Sequence, residues 1–529
     1  MDTQQRTPAQ QPPTAVCAPR APGRVWGAAL LAGAVVGGLA FWTMPTTGPT
    51  TFTAEGDPEI AAAVNSAVAG REHVFQGLSA ASATDNGVAT STAGTTDGDT
   101  PVTGDTPFET GSVFKLFTAM TLADMAEKGE VELDDTVGEI FSDLEFADPA
   151  VATVTLEELA THQSGLPSIP AGYGLVSLGH PLVFTDPFAG LPPVTESLAA
   201  AAETPQRGEW NYSNFGFATL GAALSEAAGL PFPELVRERV LDPLGMDATG
   251  IVGADIPAGG VPEGGAMPHY EAGSRSQVWG VSHYAPAGVG TWSTTGDFVR
   301  FAEAVRAGDA PGLSALEPLR DGPVETMRSG LGWQVSELAD GTVRHWHDGA
   351  TYGSGAFLAV EEDRSVVVLA NSAPLTVPMV GLAVLEPDAG HSVGDLGAVA
   401  PSRALGLALT LPLLVVPVGL ALALMAGRKT LVTRRHLDRL RLVSMPLGAF
   451  AVVLSSLRWG SWAATPHLLW ALAVGLLGTA VVVGAWHWRR VPTVRATWLP
   501  VRLGAFVLST TVSLALIGTI GWAVAVSVG

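Results

Sequence analysis

Hydrophobic and polar positions follow three regimes along the chain. Trp26–Trp42 is an unbroken apolar run with no charged side chain. Residues 57–375 mix apolar and polar positions at helical and strand periods. Beyond them, apolar stretches at 404–426, 442–457, 466–486 and 503–527 each approach the length that crosses a bilayer, roughly 20 residues. The second of these is the shortest and carries Pro446. In the mixed region, apolar residues at helical spacing predict helices over 59–72, 112–128, 155–162, 213–229, 232–241 and 294–307. The helix at 155 opens on Thr155-Leu-Glu-Glu158, a capping box. Alternating segments at 73–80 and 87–92, parted by Asp85-Asn86-Gly87, predict a hairpin. Further strands are predicted at 331–336, 342–348 and 354–371. Strands, then helices, then strands define an α+β fold: one antiparallel sheet built from both ends, with a helical region inserted. The predicted plan is a tail (1–25), a transmembrane anchor (26–43), a linker (44–56), a globular domain (57–375), a second linker (376–402) and a four-helix transmembrane region (403–529). No internal repeat is visible.

Charge sharpens this division. The net charge of −22 combines −35 over residues 45–400 with +11 over 401–529 and +2 over the first 44. An acidic domain excludes nucleic acid as a partner, because binding its backbone needs positive charge; the acidity reads as solubility. Arg428, Lys429, Arg434, Arg435, Arg439 and Arg441 lie between the first two C-terminal stretches, and Arg489, Arg490, Arg495 and Arg502 between the last two. Basic loops stay on the cytoplasmic side, which places the acidic domain and the Trp459–Trp462 loop outside. Trp459, Trp462, Trp486, Trp488 and Trp498 read as interfacial anchors. No small-x-small cleavage site follows the first run, so it reads as an uncleaved anchor. None of the spans carries a charge near its centre, so the tail reads as an anchor or packing module in the lipid rather than a transporter. Cys17 is the sole cysteine and permits no intrachain disulfide.

The chain holds only three lysines, Lys115, Lys128 and Lys429. Arg cannot shed its proton in a protein, whereas a buried Lys can. Lys115 lies among apolar neighbours three residues after Ser112, on the same helix face. This sets a hydroxyl beside a proton acceptor, as an activated nucleophile requires. Two other segments carry matching chemistry. Trp210-Asn-Tyr212-Ser-Asn214 opens a helix; a Tyr beside a protonated amine has a lowered pKa and can act as general base, and Asn214 can donate to a substrate carbonyl. His345-Trp-His347-Asp-Gly349-Ala350 lies on a strand. There Gly349 permits close approach of a ligand, and the N–H groups of Ala350 and Ser112 can form an oxyanion hole. His345 and His347 share a face, but no third ligand with recognisable spacing makes a zinc site. His162 reads as a hydrogen-bonded structural residue.

Ser112-Val-Phe-Lys115, Tyr212-Ser-Asn214 and His347-Asp-Gly349 occur in the order S-x-x-K, Y-x-N and K/H-x-G. This resembles the serine β-lactamase and penicillin-binding protein family, in its class C or D-alanyl-D-alanine carboxypeptidase-like branch. The resemblance covers about residues 57–372 and is supported by His162-Gln-Ser-Gly-Leu-Pro167 and Gly290-Thr-Trp-Ser293. It implies a β-lactamase/transpeptidase-like fold and a Ser112 acyl-enzyme. Lys115 and Tyr212 would shuttle the proton, with no cofactor or metal, on a small-molecule or peptidoglycan-type substrate. Two departures bear on that substrate. His347 replaces the Lys of many β-lactamases, and Asp348 stands where Thr or Ser is common. Both disfavour a substrate carboxylate, and fit esters or amides that lack one. A receptor that is acylated without turnover, or an envelope protein, is the alternative expectation.

Overall fold

The computed structural model describes residues 20–44, 52–173, 179–180, 185–202, 205–270, 273–396, 400, 402–426, 437–493 and 499–528. The N-terminal tail with Cys17, the basic residues Arg428, Lys429, Arg434, Arg435 and Arg495, and Trp498 lie outside the described residues.

Among the described residues, twelve strands form two sheets. They are β1 (Glu55–Gly56), β2 (Gly77–Thr84), β3 (Gly87–Gly94), β4 (Phe108–Glu109), β5 (Gly250–Ile251), β6 (Thr291–Ser293), β7 (Arg320–Asp321), β8 (Met327–Ser329), β9 (Gln334–Glu337), β10 (Val343–Ala350), β11 (Gly355–Val360) and β12 (Arg364–Ala370). The large sheet is antiparallel throughout, in the order β1-β3-β2-β12-β11-β10-β9-β8-β7. The ends of the domain thus meet where β2 pairs with β12, with Leu78 opposite Ala370. A small sheet, β4-β6-β5, was not foreseen.

The segment 354–371, expected as one strand, is the hairpin β11–β12. Its nearly continuous apolar run reflects burial of both sheet faces. Leu358, Val367 and Leu369 enter the larger core, beneath the helical region. Phe357, Val366 and Val368 enter a second core, under helices Pro58–Ala67 and Val377–Leu385. Period-two alternation therefore divides one strand pair between two cores.

The first hairpin turns at Asp85-Asn86, with Thr84 opposite Gly87 at φ +117°. β2 lies further along the chain than expected because Glu72–Val74 is a 3-10 turn. The capping box at Thr155 and Glu158 forms as predicted. Helix Phe232–Val236 passes into a π-helical turn, Arg237–Leu241.

Packing of the domain extends beyond the expected boundaries. Phe52 and Ala54 are buried in the second core, as are Val377, Val380 and Val384 of the segment expected to be a linker. That nine-residue helix, Val377–Leu385, is apolar because it covers the sheet.

Backbone proximity divides the chain into two units. One contains Pro45–Thr410 together with Leu457–Pro466 and Thr519–Gly529. The other holds the bulk of five apolar helices: Gly23–Trp42, Arg403–Met425, Arg439–Trp459, His467–His487 and Leu499–Val528. Each is long and apolar enough to cross a membrane. Gly33 and Gly37 of the first pack on Ala471, Gly475 and Thr479 of the fourth, leaving no space for a Cβ: one at Gly33 would meet Gly475 O at 2.4 Å. Small residues let two apolar helices approach this closely.

Candidate active site

Ser112 lies in a 3-10 turn, Gly111–Phe114, which runs directly into helix Lys115–Glu127. The α-helix therefore starts later than expected. In a 3-10 turn, residues i and i+3 eclipse one another, which stacks Lys115 on Ser112. The Lys115 side chain is fully buried. Its Nζ lies 2.9 Å from Ser112 Oγ, 2.7 Å from Asn214 Oδ1 and 2.6 Å from the Ala287 carbonyl oxygen. Burial lowers its pKa well below that of a free lysine. A neutral amine has two hydrogens and one lone pair. The amide and carbonyl oxygens can only accept, so they take the hydrogens, and the lone pair faces the Ser112 hydroxyl.

Tyr212 completes the chain: its hydroxyl donates to Ser112 Oγ over 2.6 Å. Tyr212 was expected to have a lowered pKa beside a charged Lys115. The structure reverses this. Burial raises the phenol pKa, the Asp348 charge adds to the rise, and burial lowers that of Lys115, so Lys115 is the group moved towards its neutral form. Tyr212 O–H donates to Ser112 Oγ, and once Lys115 is neutral Ser112 O–H can donate to its Nζ.

Asn214 begins the helix Asn214–Ala228, which Ser213 caps by accepting the Gly216 N–H. Its Oδ1 holds Lys115, while its Nδ2 donates to Ser168 Oγ at 3.1 Å. The amide thus orients the base, and one of its two Nδ2 hydrogens goes to Ser168 while the other is left to the cavity that Asn214 lines. His162 is buried in the left-handed region at φ +62°. Its Nδ1 accepts the Ser213 N–H, and its ring packs 4.4 Å from that of Tyr212. Burial holds this imidazole neutral.

The third motif arrives on β10. Gly349 is needed for the close approach of protein backbone. A Cβ there would meet Thr110 O at 2.2 Å and Ser112 N at 3.0 Å. Reciprocally, a Cβ on Gly111, at φ +51°, would meet Ala350 N at 2.8 Å. The two glycines let strand and nucleophile turn touch, which brings the Ser112 and Ala350 amides together. Buried His347 directs Nδ1–H at the Asp348 carbonyl oxygen, and desolvation lowers its pKa. His345 packs edge-on to Trp333 instead.

Ser112, Tyr212, Asn214, Ala287, His347 and Ala350 line a cavity of about 340 Å³ together with Phe188, Trp210, Trp279, Gln334 and Asp348. Sequence reasoning missed Ala287, whose contribution is a backbone carbonyl. It also missed Glu109, which is buried on β4. Glu109 accepts the Trp279 N–H (3.0 Å) and the Thr351 hydroxyl (2.8 Å), joining a cavity wall to the end of β10. Burial raises its pKa to about 7.

The sequence profile of the Beta-lactamase family matches residues 60–390, and the chain belongs to this serine hydrolase family. It is similar to penicillin-binding protein 4 of Amycolatopsis lactamdurans, with 27% identity over 50% of this chain and 72% of that protein. It is also similar to esterase EstB of Burkholderia gladioli, with 28% identity over 53% of this chain and 82% of that protein. The match takes in 60% of the length of penicillin-binding protein 4* of Bacillus subtilis. Among solved structures, a β-lactamase/D-alanine carboxypeptidase from Pseudomonas syringae shares the fold. Its TM-score is 0.52 at 19% identity, covering 62% of this chain and 98% of that one.

Proposed function

We propose that this chain is a membrane-anchored hydrolase that cleaves an ester or amide outside the cytoplasmic membrane through a Ser112 acyl-enzyme. The observation that carries the reading is the hydrogen-bonded cluster Tyr212–Ser112–Lys115, in which Asn214 Oδ1 and Ala287 O hold a buried amine 2.9 Å from the nucleophile. Ser112 Oγ attacks the carbonyl carbon as its proton passes to Lys115 Nζ. Asn214 Oδ1 and Ala287 O, already in place, stabilise the resulting ammonium. The N–H groups of Ser112 and Ala350 face the developing oxyanion. Tyr212 gives its proton to the leaving atom and is recharged from Lys115. Water then attacks the acyl carbonyl with Lys115 and Tyr212 as proton carriers, and Ser112 is restored.

Two observations support the outward placement. The basic loops favour one orientation for all five apolar helices. The Leu457–Pro466 loop, read as outward from its low charge, packs in the same unit as the hydrolase domain. There Tyr270 Oη donates to Leu457 O at 2.7 Å, and Arg458 Nη1 to Arg275 O at 3.0 Å.

The test is intact-mass analysis of the full-length protein after fluorophosphonate treatment. One adduct per chain, abolished by Ser112→Ala, is expected. No adduct, or one that survives the substitution, contradicts the reading.

A further inference from the structure

The cleft is unequally equipped for charge. Asp348 lines it, half-buried, and its carboxylate forms no hydrogen bond or ion pair among the described residues. Its charge is nonetheless felt by Lys115, Tyr212 and His347. Among the described residues, no Arg lines the cavity. Lys115 is buried behind Ser112, outside the cavity lining, with its Nζ held by Ser112 Oγ, Asn214 Oδ1 and the Ala287 carbonyl oxygen. His347 is neutral and its Nδ1–H is given to a backbone carbonyl, so the ring's remaining nitrogen is an acceptor. The walls are the aromatic rings of Phe188, Trp210, Tyr212 and Trp279. Aromatic faces attract cations, and a lone carboxylate in a confined cleft attracts them strongly while repelling anions. Nothing described in the cleft can neutralise a substrate carboxylate.

We infer that this site takes substrates carrying an ammonium group close to the scissile carbonyl, such as amino esters, amino-acid amides or peptides with a free amine, and rejects those carrying a carboxylate there. Asp348 is the specificity-determining residue. The inference rests on the Ser112 hydrolase reading and names its substrate class. It fits the two departures at His347 and Asp348: the pair that cannot hold a carboxylate supplies a cation with two acceptors.

Two matched ester series test this with the full-length protein. In one, the acyl group is β-alanyl, butyryl or succinyl on p-nitrophenol. In the other, acetate is esterified to 3-(aminomethyl)phenol, phenol or 3-hydroxybenzoate. In at least one series, kcat/KM is expected to be at least tenfold higher for the cation than for the neutral ester, with the anion lowest. Added salt should narrow the gap. Asp348→Asn and Asp348→Ser should collapse the ratio of cation to neutral towards one. Ratios near one, or a preference for the anion, in both series of the wild type overturn the inference. So does a cation preference that survives both substitutions. In those cases Ser112-dependent turnover of the neutral esters leaves the hydrolase reading intact. No turnover of any ester and no Ser112 adduct overturns both.

Discussion

At the residue scale, the chemistry turns on which group in the Ser112 cluster lacks a proton. Proximity to an amine pointed to a tyrosinate. Burial penalises charge on both groups, which raises the tyrosine and lowers the lysine, so Lys115 is the group poised to act as base. Lys115→Arg is therefore expected to reduce kcat/KM by about 10³-fold or more although it keeps a basic side chain, since Arg cannot accept a proton. Steady-state kinetics on a neutral ester, with circular dichroism as a check on folding, measures this. Tyr212→Phe, which removes the acid, should lower kcat by roughly 10²–10⁴-fold without abolishing the fluorophosphonate adduct. Activity should fall on the acid side as Lys115 takes up a proton, and the midpoint of that limb should lie well below the pKa of a free lysine.

At the scale of elements, the site is the meeting of a 3-10 turn, a strand end and a helix start, and its tolerances are those of backbone packing. Gly349→Ala forces a Cβ against Thr110 O at 2.2 Å. It should separate β10 from the nucleophile turn, cost about 1–3 kcal/mol and reduce kcat more than it changes KM. Thermal melts and kinetics on the same preparation check both. Glu109 links β4, the Trp279 wall and the turn after β10. Its folded pKa of about 7 lies above the ordinary 4.5. Its stabilising contribution is therefore complete below pH 4.5 and is lost as pH rises through 7, by up to about 3 kcal/mol. Glu109→Gln mimics the protonated acid. It should gain stability relative to wild type between pH 5 and pH 8, measured as the difference in Tm at each pH. The three motifs were legible in the sequence because each places reactive side chains at short fixed spacing. Ala287 and Glu109 were not, because one acts through its carbonyl and the other through contacts brought together only by folding. The helix Val377–Leu385 was read as linker because a nine-residue apolar segment, too short to cross a membrane, shows little period when one face covers a sheet and its neighbours are small.

On the scale of the whole molecule, the order of strands and helices was enough to foresee one antiparallel sheet closed by both ends of the domain, and β2 does pair with β12. The small sheet β4-β6-β5 escaped because its strands are two or three residues long and carry no alternation. The five apolar helices set a topology that labelling can test. In a Cys17→Ala background, cysteines introduced at Asp99 and at Arg490 should react differently with an impermeant maleimide on intact cells. Asp99→Cys should label directly and Arg490→Cys only after permeabilisation; the reverse pattern would place the hydrolase domain inside. The most direct test of the proposed chemistry is to trap the covalent intermediate. The full-length protein, acid-quenched during turnover of p-nitrophenyl acetate and digested, should yield one acetyl group on the peptide containing Ser112. That acetyl group should be lost in Ser112→Ala and formed far more slowly in Lys115→Arg. Turnover with no acetyl group on Ser112 and no loss of rate in Ser112→Ala would contradict it.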